Sequence, residues 1–253
     1  MKHNRFIMGM PIEVEIVGGT GTESAAEVVF SYFRYVDEKF STYKNTSEIS
    51  FINKGFLGTE DLSEDMKEIL SLAAKTKQET EGYFDILTPA GNYDPSGIVK
   101  GWAVYNASKM LWRLGLENFY INAGGDIEAH GKNSEGRSWS VGIRNPFAKE
   151  QIVKVIYMEN LGVATSGNYE RGEHIYNPKD VDDAWKEIKS LTVIGPNVYE
   201  ADRFVTAAFA MGRKGIDFIE SIPRLEGYMI DNTGLARMTS GFEKHTEDYA
   251  QVD

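Results

Sequence analysis

From Met8 to Val17 apolar and polar residues alternate at period two, with Met10, Ile12, Val14 and Ile16 in phase, and the run breaks at Gly18-Gly19-Thr20-Gly21. That spacing predicts a half-buried strand and a loose turn. Ser24 to Phe40 carries Val28, Val29, Phe33 and Val36 at helical spacing. Ser63 to Glu79 is a second amphipathic helix, with Ser63 as N-cap and Met66, Ile69, Leu70, Ala73 and Ala74 as its buried stripe. A third is expected over Val99 to Leu114, opening out of a glycine-bearing loop. From Asn118 to Ser166 the period shortens, and strands are expected at Phe119 to Asn122, Ile127 to His130, Trp139 to Ile143, Val153 to Met158 and Gly162 to Thr165. Leu191 to Ile194 reads as another strand, Tyr199 to Met211 as a strongly apolar helix, Gly215 to Ser221 as a short helix and Gly227 to Ile230 as a late strand. Strands at hairpin spacing, interrupted by a few helices, predict an α+β fold of antiparallel sheets layered with helices rather than a doubly wound parallel one. One catalytic-sized domain is expected over 1–243, followed by a polar, frayed tail over 244–253.

Composition narrows what such a fold could do. With 253 residues and 42% hydrophobic, the chain can bury a large core and is too polar to be membrane-embedded. Lys+Arg 27 against Asp+Glu 38 gives a net charge of -11, a field that repels nucleic acid and anionic lipid. A polyanionic substrate would then need a cation to mediate its binding. No cysteine is present, which excludes disulfides, thiolate metal sites and cysteine nucleophiles. The start, Met1 to Ile7, lacks an apolar signal core and no stretch is long enough to span a bilayer. The expected location is cytoplasmic for the chain as it stands, or exported and periplasmic if a leader has been removed.

Four segments could carry chemistry. Gly19-Thr20-Gly21-Thr22-Glu23-Ser24 approaches a dinucleotide fingerprint, but Ser24 replaces the third glycine and the preceding strand alternates, which favours a surface turn. No Gly-Lys-Ser/Thr phosphate loop occurs. In Tyr93 to Trp102, Gly97 permits a close backbone approach, Lys100 offers a point charge and the helix start offers free amides, an arrangement suited to an anion. A capped loop with a solvated lysine fits the same residues. Asp202 and Thr206, at i and i+4 on a helix start, put a carboxylate and a hydroxyl on one face where they could share a hard cation such as magnesium. Alternatively Asp202 complements the helix dipole and Thr206 packs inward. His174, close to Arg171 and Pro178, is either an acid/base or phosphate contact or a solvated loop histidine.

Taken in order, these segments resemble the ApbE family of FAD:protein FMN transferases. The likeness runs through Met8-Gly9-Met10, Ser41-Thr42-Tyr43, Ser47 to Ser50, Gly82 to Asp85, Asp94 to Gly101, Asn122 to Asp126, Thr165 to Arg171, His174 to Pro178 and Ala201 to Thr206. The resemblance implies an α+β assembly related to the T-fold, with FAD in a cleft between two closely packed lobes. It implies that magnesium is held by Asp202, Thr206 and a main-chain carbonyl at Gly97. By the same resemblance Met8, Tyr43, Tyr83, Phe84, Asp85, Asp94, Lys100, His174 and Ile175 should line the FAD pocket, with His174 and Asp202 in catalytic roles. The implied activity is magnesium-dependent transfer of FMN from FAD to a threonine or serine of an acceptor flavoprotein, releasing AMP. Rivals are FAD pyrophosphatase activity, a non-catalytic flavin-binding protein and a flavin-using oxidoreductase. Asp202 and Thr206 argue against a pocket without a metal. Three departures from the family pattern stand out: Pro95-Ser96 in place of Leu-Gly, Asn177 where aspartate is usual before the proline, and no lipoprotein leader with its cysteine.

Overall fold

The computed structural model of the chain describes residues 1–167, 178–179 and 184–246. Its backbone is an eight-stranded antiparallel sheet in the order β1-β2-β3-β4-β7-β8-β9-β10, with helices on one face and a separate two-stranded hairpin, β5-β6, on the other. The strands of the first half are β1 (Lys2–Ile7), β2 (Met10–Ile16), β3 (Phe119–Ala123) and β4 (Asp126–His130). Those of the second half are β7 (Leu161–Gly167), β8 (Ile188–Gly195), β9 (Glu226–Asp231) and β10 (Ala236–Met238), and the hairpin is β5 (Trp139–Asn145) with β6 (Ala148–Met158).

Alternation decides which side chains meet the helices. Ile12, Val14 and Ile16 of β2 pair in register with Ala123, Ile121 and Phe119 of β3, so all six project to one face. There they pack on α1 (Thr22–Phe40), α3 (Glu64–Glu79) and α4 (Ser96–Arg113). Beneath the second half, Ala164, Leu191, Val193 and Met229 pack on α5 (Val198–Ala210) and α6 (Gly215–Ser221). The opposite face is divided. Ile127, Val163, Ile194, Tyr228 and Ile230 are covered by Trp139, Ile143, Ile156 and Met158 of the hairpin, whereas Asn4, Glu13, Tyr120 and Asn122 leave the neighbouring part polar and open to a cavity. The strands of the second half are therefore sandwiched, which is why β8 is buried almost throughout instead of alternating.

The layered antiparallel architecture agrees with the pattern read from the sequence. Local differences have physical causes. The run from Met8 to Val17 is not one strand. Ile7 pairs with Met10 across a two-residue turn in which Met8 (φ 55°) and Gly9 (φ 71°) are both left-handed, the geometry of a type I′ hairpin, so Met8 leaves the strand and β1 precedes it. The short helix α2 (Glu48–Asn53) was not expected; Ser47 caps it by accepting from Ser50 N, and six residues are too few to show a helical period. Ser63 caps α3 as read, accepting from Met66 N. Its buried line, however, continues from Ala73 to Thr76 and leaves Ala74 exposed, just as α1 exposes Val28 and buries Phe30. The expected polar tail begins inside structure, since Lys244 and His245 close a 3-10 turn over Phe242–His245.

α5 carries Asp202 and Thr206, and its seat on the sheet is tight. Its first turn is satisfied from two directions: Asn197 accepts from Glu200 N at 2.9 Å and buried Glu128 of β4 accepts from Val198 N at 2.6 Å. Gly162 of β7 lies under that turn, where an added methyl would fall on the Val198 nitrogen and the Asn197 carbonyl carbon. Backbone cannot give way as a flexible side chain can. Gly162→Ala is therefore expected to cost about 3 kcal/mol or more, the upper end of overpacking, read as a lowered urea midpoint or loss of soluble protein.

Candidate active site

A cavity of about 890 Å³ opens between the polar part of the sheet, the edge of β5, the loop before α4 and the ends of α4 and α5. Each wall has a local cause. The loop from Tyr83 to Asp94 is a small hairpin closed by Asp94 N donating to Ile86 O at 2.7 Å and by a bridge between Leu87 and Tyr93. Two anchors hold it: Thr80 Oγ1 accepts from Phe84 N at 3.1 Å, and Asn53, the last residue of α2, binds both the N–H and the carbonyl of Tyr93. Asp94 Oδ1 then accepts from Ser96 N at 3.0 Å and turns the chain into α4.

At one end of the cavity α4 and α5 cross through a pair of glycines. A methyl on Gly101 would stand 2.6 Å from Asp202 Cβ, and one on Gly97 would stand 3.4 Å from Thr206 Cγ2 and 3.9 Å from its Oγ1. Gly97 and Gly101, one turn apart on α4, thus receive Asp202 and Thr206, one turn apart on α5. Asp202 Oδ2 accepts from Gly101 N at 2.8 Å. Thr206 donates its hydroxyl proton to the Asp202 carbonyl at 3.0 Å, which leaves the oxygen lone pairs of the hydroxyl for another partner.

The electrostatics of this corner favour a cation. Asp202 is 4% exposed and abuts the buried Asp126 of β4; burial first, and then the Asp126 charge, push its carboxyl well above the usual carboxylate range, with Lys100 and the Gly101 N–H acting in the opposite sense. Lys100 Nζ lies 2.8 Å from Asp126 Oδ2, close enough for an ion pair, yet no aligned hydrogen-bond donor among the described residues meets either Asp126 oxygen. When both carboxyls are ionised, the one ammonium beside them cannot compensate both. A hard cation beside Asp202, Thr206 and the backbone at Gly97 would supply what is missing, and oxygen ligands of this kind suit magnesium. The residues present fit such an ion.

Of the positions that the sequence reading assigned to a pocket, Tyr83, Phe84, Asp85, Asp94, Gly97, Lys100, Asp202 and Thr206 all line this cavity. Phe84 is buried and props Gly97, while Tyr83 has Lys179 Nζ 4.4 Å above its ring. Asp85 pairs with Lys77 at 2.5 Å. Tyr43 is 97% exposed and Met8 sits in the β1-β2 turn; neither is part of the lining. His174 and Ile175 lie outside the described residues. The exposed glycine turn before α1 is not part of the lining either, in keeping with a surface turn. Sequence reasoning gave no role to Asp126, to Tyr120 stacked on Trp139 with centroids 5.5 Å apart, or to the Thr165 and Thr192 hydroxyls 2.9 Å apart on the cavity floor. The pair of glycines before Asp126 was the available signal, since a tight turn delivers the next side chain to a fixed place.

Among the described residues no helix is long and apolar enough to cross a membrane. Comparison with known structures gives the same fold. The flavin transferase ApbE from Vibrio cholerae superposes with a TM-score of 0.84 at 20% identity, covering 97% of this chain and 98% of that one. The ApbE protein from Thermotoga maritima does so with 0.87 at 19%, covering 98% and 99%. In sequence, the FAD:protein FMN transferase of Haemophilus influenzae is 26% identical over 89% of this chain and 84% of its own length. The one from Escherichia coli strain K12 is 28% identical over 56% of this chain, a match spanning 43% of the relative. The sequence profile of the ApbE family matches residues 8–93 and 89–229, which is most of the chain. The protein belongs to the ApbE family.

Proposed function

We propose that the protein transfers FMN from FAD to a threonine or serine hydroxyl of an acceptor flavoprotein, releasing AMP, and that residues 1–243 work as one catalytic domain. The observation that carries the reading is the pairing of Asp202 and Thr206 against Gly97 and Gly101 at the end of a cavity large enough for a dinucleotide, with Lys100 beside them. The names of the relatives in Haemophilus and Escherichia point to the same chemistry.

In this reading Asp202, Thr206 and the main-chain oxygen of Gly97 hold one magnesium ion, whose contribution when bound is to neutralise charge on the diphosphate and on the departing AMP. Lys100 holds a phosphate oxygen as a point charge. The acceptor oxygen attacks the FMN phosphorus in line, the bond from that phosphorus to the oxygen bridging to AMP breaks, and the acceptor proton leaves to solvent or a base. His174 is assigned either to that step or to orienting the diphosphate. Tyr83 and Phe84 border the space where a flat ring would lie. Tyr83→Ala is expected to weaken FAD binding by about tenfold or less, since an aromatic contact adds about 0.5 to 1.5 kcal/mol beyond area burial.

Calorimetric titration with FAD, FMN, ADP and NAD in the presence of magnesium tests the reading. ADP reports the diphosphate grip and FMN the flavin pocket. FAD should bind far better than NAD; equal affinity, or no FAD binding at all, would reduce the protein to a cation-binding domain of another kind.

A further inference from the structure

Asp126 is a buried carboxylate at the cation end to which the proposed transfer gives no part. It opens β4 immediately after two left-handed glycines, Gly124 (φ 58°) and Gly125 (φ 99°), and its pairing with Ala123 turns its side chain to the helical face of the sheet, beneath α4. It is 0% exposed. Its neighbour on the same face, Glu128, shows how a structural acid is kept there: equally buried, it accepts from Val198 N at 2.6 Å and lies 3.0 Å from His130 Nε2. Among the described residues no backbone amide or imidazole holds Asp126 in that way; it has the Lys100 ammonium at 2.8 Å on one side and the Asp202 carboxyl on another. A buried carboxylate pressed against a second one is relieved either by a proton on one of them or by more positive charge than one lysine provides. Once Asp202 gives up its proton, as cation binding requires, the charges on Asp126, Asp202 and Lys100 sum to one negative, and a divalent cation makes the corner positive before a diphosphate arrives. With asparagine at position 126 the same corner would sum to zero and hold such an ion less well.

We propose that Asp126 is a positioning residue of the cation end: it pins Lys100 beside the site and, through its charge against Asp202, gives the protein affinity for a divalent cation before FAD arrives. The inference rests on the reading of Asp202 and Thr206 as cation ligands. It adds that affinity depends on a carboxylate that touches neither substrate nor the reacting atoms.

The test is binding of Mn2+ to the full chain without FAD, followed by the electron paramagnetic resonance of the free ion, and repeated with ADP. Asp126→Asn keeps the shape and removes the charge, and is expected to weaken Mn2+ by about 10- to 100-fold, as loss of a supporting partner does at other metal sites. Glu128→Gln, which removes a buried carboxylate of structural use, should leave Mn2+ affinity within about threefold. Lys100→Met gives a second reading with Asp126 intact: two uncompensated carboxylates should bind Mn2+ at least about threefold more tightly. Wild-type affinity in Asp126→Asn, an equal loss in Glu128→Gln, or unchanged affinity in Lys100→Met would each overturn the proposal while leaving the function standing. Should the wild-type protein bind no Mn2+ with or without ADP, the cation reading itself fails and takes this inference with it.

Discussion

Asp202→Ala is expected to lower magnesium-dependent FMN transfer at least about a hundredfold, because a cation that stabilises transition-state charge contributes several kcal/mol and each 1.4 kcal/mol or so is a factor of ten. The fold should survive. The substitution removes the bond from Gly101 N to the Asp202 carboxylate, a loss of up to about 1–3 kcal/mol, but it also removes a carboxyl held against Asp126 in a buried place. These oppose each other, so the melting temperature should move by only a few degrees, roughly 2–4 °C per kcal/mol at this chain length. A pH signature accompanies the wild-type protein. Because the Asp202 carboxyl is raised in the folded state, the folded chain binds more protons than the unfolded one above the ordinary aspartate value, and cation-free stability falls as pH rises through that window. Saturating magnesium should flatten the Asp202 part of the fall and Asp202→Ala should remove it, leaving the part due to Glu128, whose carboxyl burial also raises. Chemical denaturation at several pH values, with and without magnesium, measures both.

Gly101→Ala should be nearly as damaging to activity without touching a candidate ligand. In an ordinary helix interior the change would stabilise by about 0.5–1 kcal/mol. Here the new methyl would meet Asp202 Cβ at 2.6 Å, Asp202 Oδ2 at 2.9 Å and the Val198 carbonyl at 3.0 Å, so α5 must move away from α4. Overpacking of this kind costs about 1–3 kcal/mol, and the displacement falls on Asp202, the carboxylate proposed to hold the cation. Transfer is expected to drop at least about tenfold, with the magnesium requirement raised, since misplacement of about 1 Å near a reacting centre can cost a hundredfold. Steady-state rates across a magnesium titration check it; a wild-type magnesium dependence would mean that the crossing of α4 and α5 does not set the site.

The helix motif was legible because chemistry and period coincide there: Asp202 and Thr206 are a carboxylate and a hydroxyl at i and i+4 in a largely apolar helix, and the structure turns both to the cavity. Gly97 was legible as a close approach, although the partner it admits in the structure is Thr206 and Phe84 rather than a ligand alone. Asp126 and Glu128 were not. In β4 the polar residues point to the helices and Ile127 and Ala129 point to the hairpin, so both faces are buried and the usual inference that alternating acids face water is reversed. The edge strand β1 was hidden by its own polarity, and the β1-β2 turn by an alternation that continues through Met8 and Gly9 as though no turn were there. Tyr43 is a position where the family resemblance and the structure address different things: the motif is present, but the ring is exposed and outside the cavity.

Flavin transfer itself is tested by incubating the protein with FAD, magnesium and a candidate acceptor peptide bearing a threonine or serine, then resolving the products by mass spectrometry. The account predicts a peptide heavier by one FMN phosphoester and an equal amount of AMP, both dependent on magnesium and both lost in Asp202→Ala. FMN and AMP in equal amounts with unmodified peptide, across acceptor sequences, would instead make the protein a hydrolase of FAD, and intact FAD in the presence of magnesium would contradict the account outright.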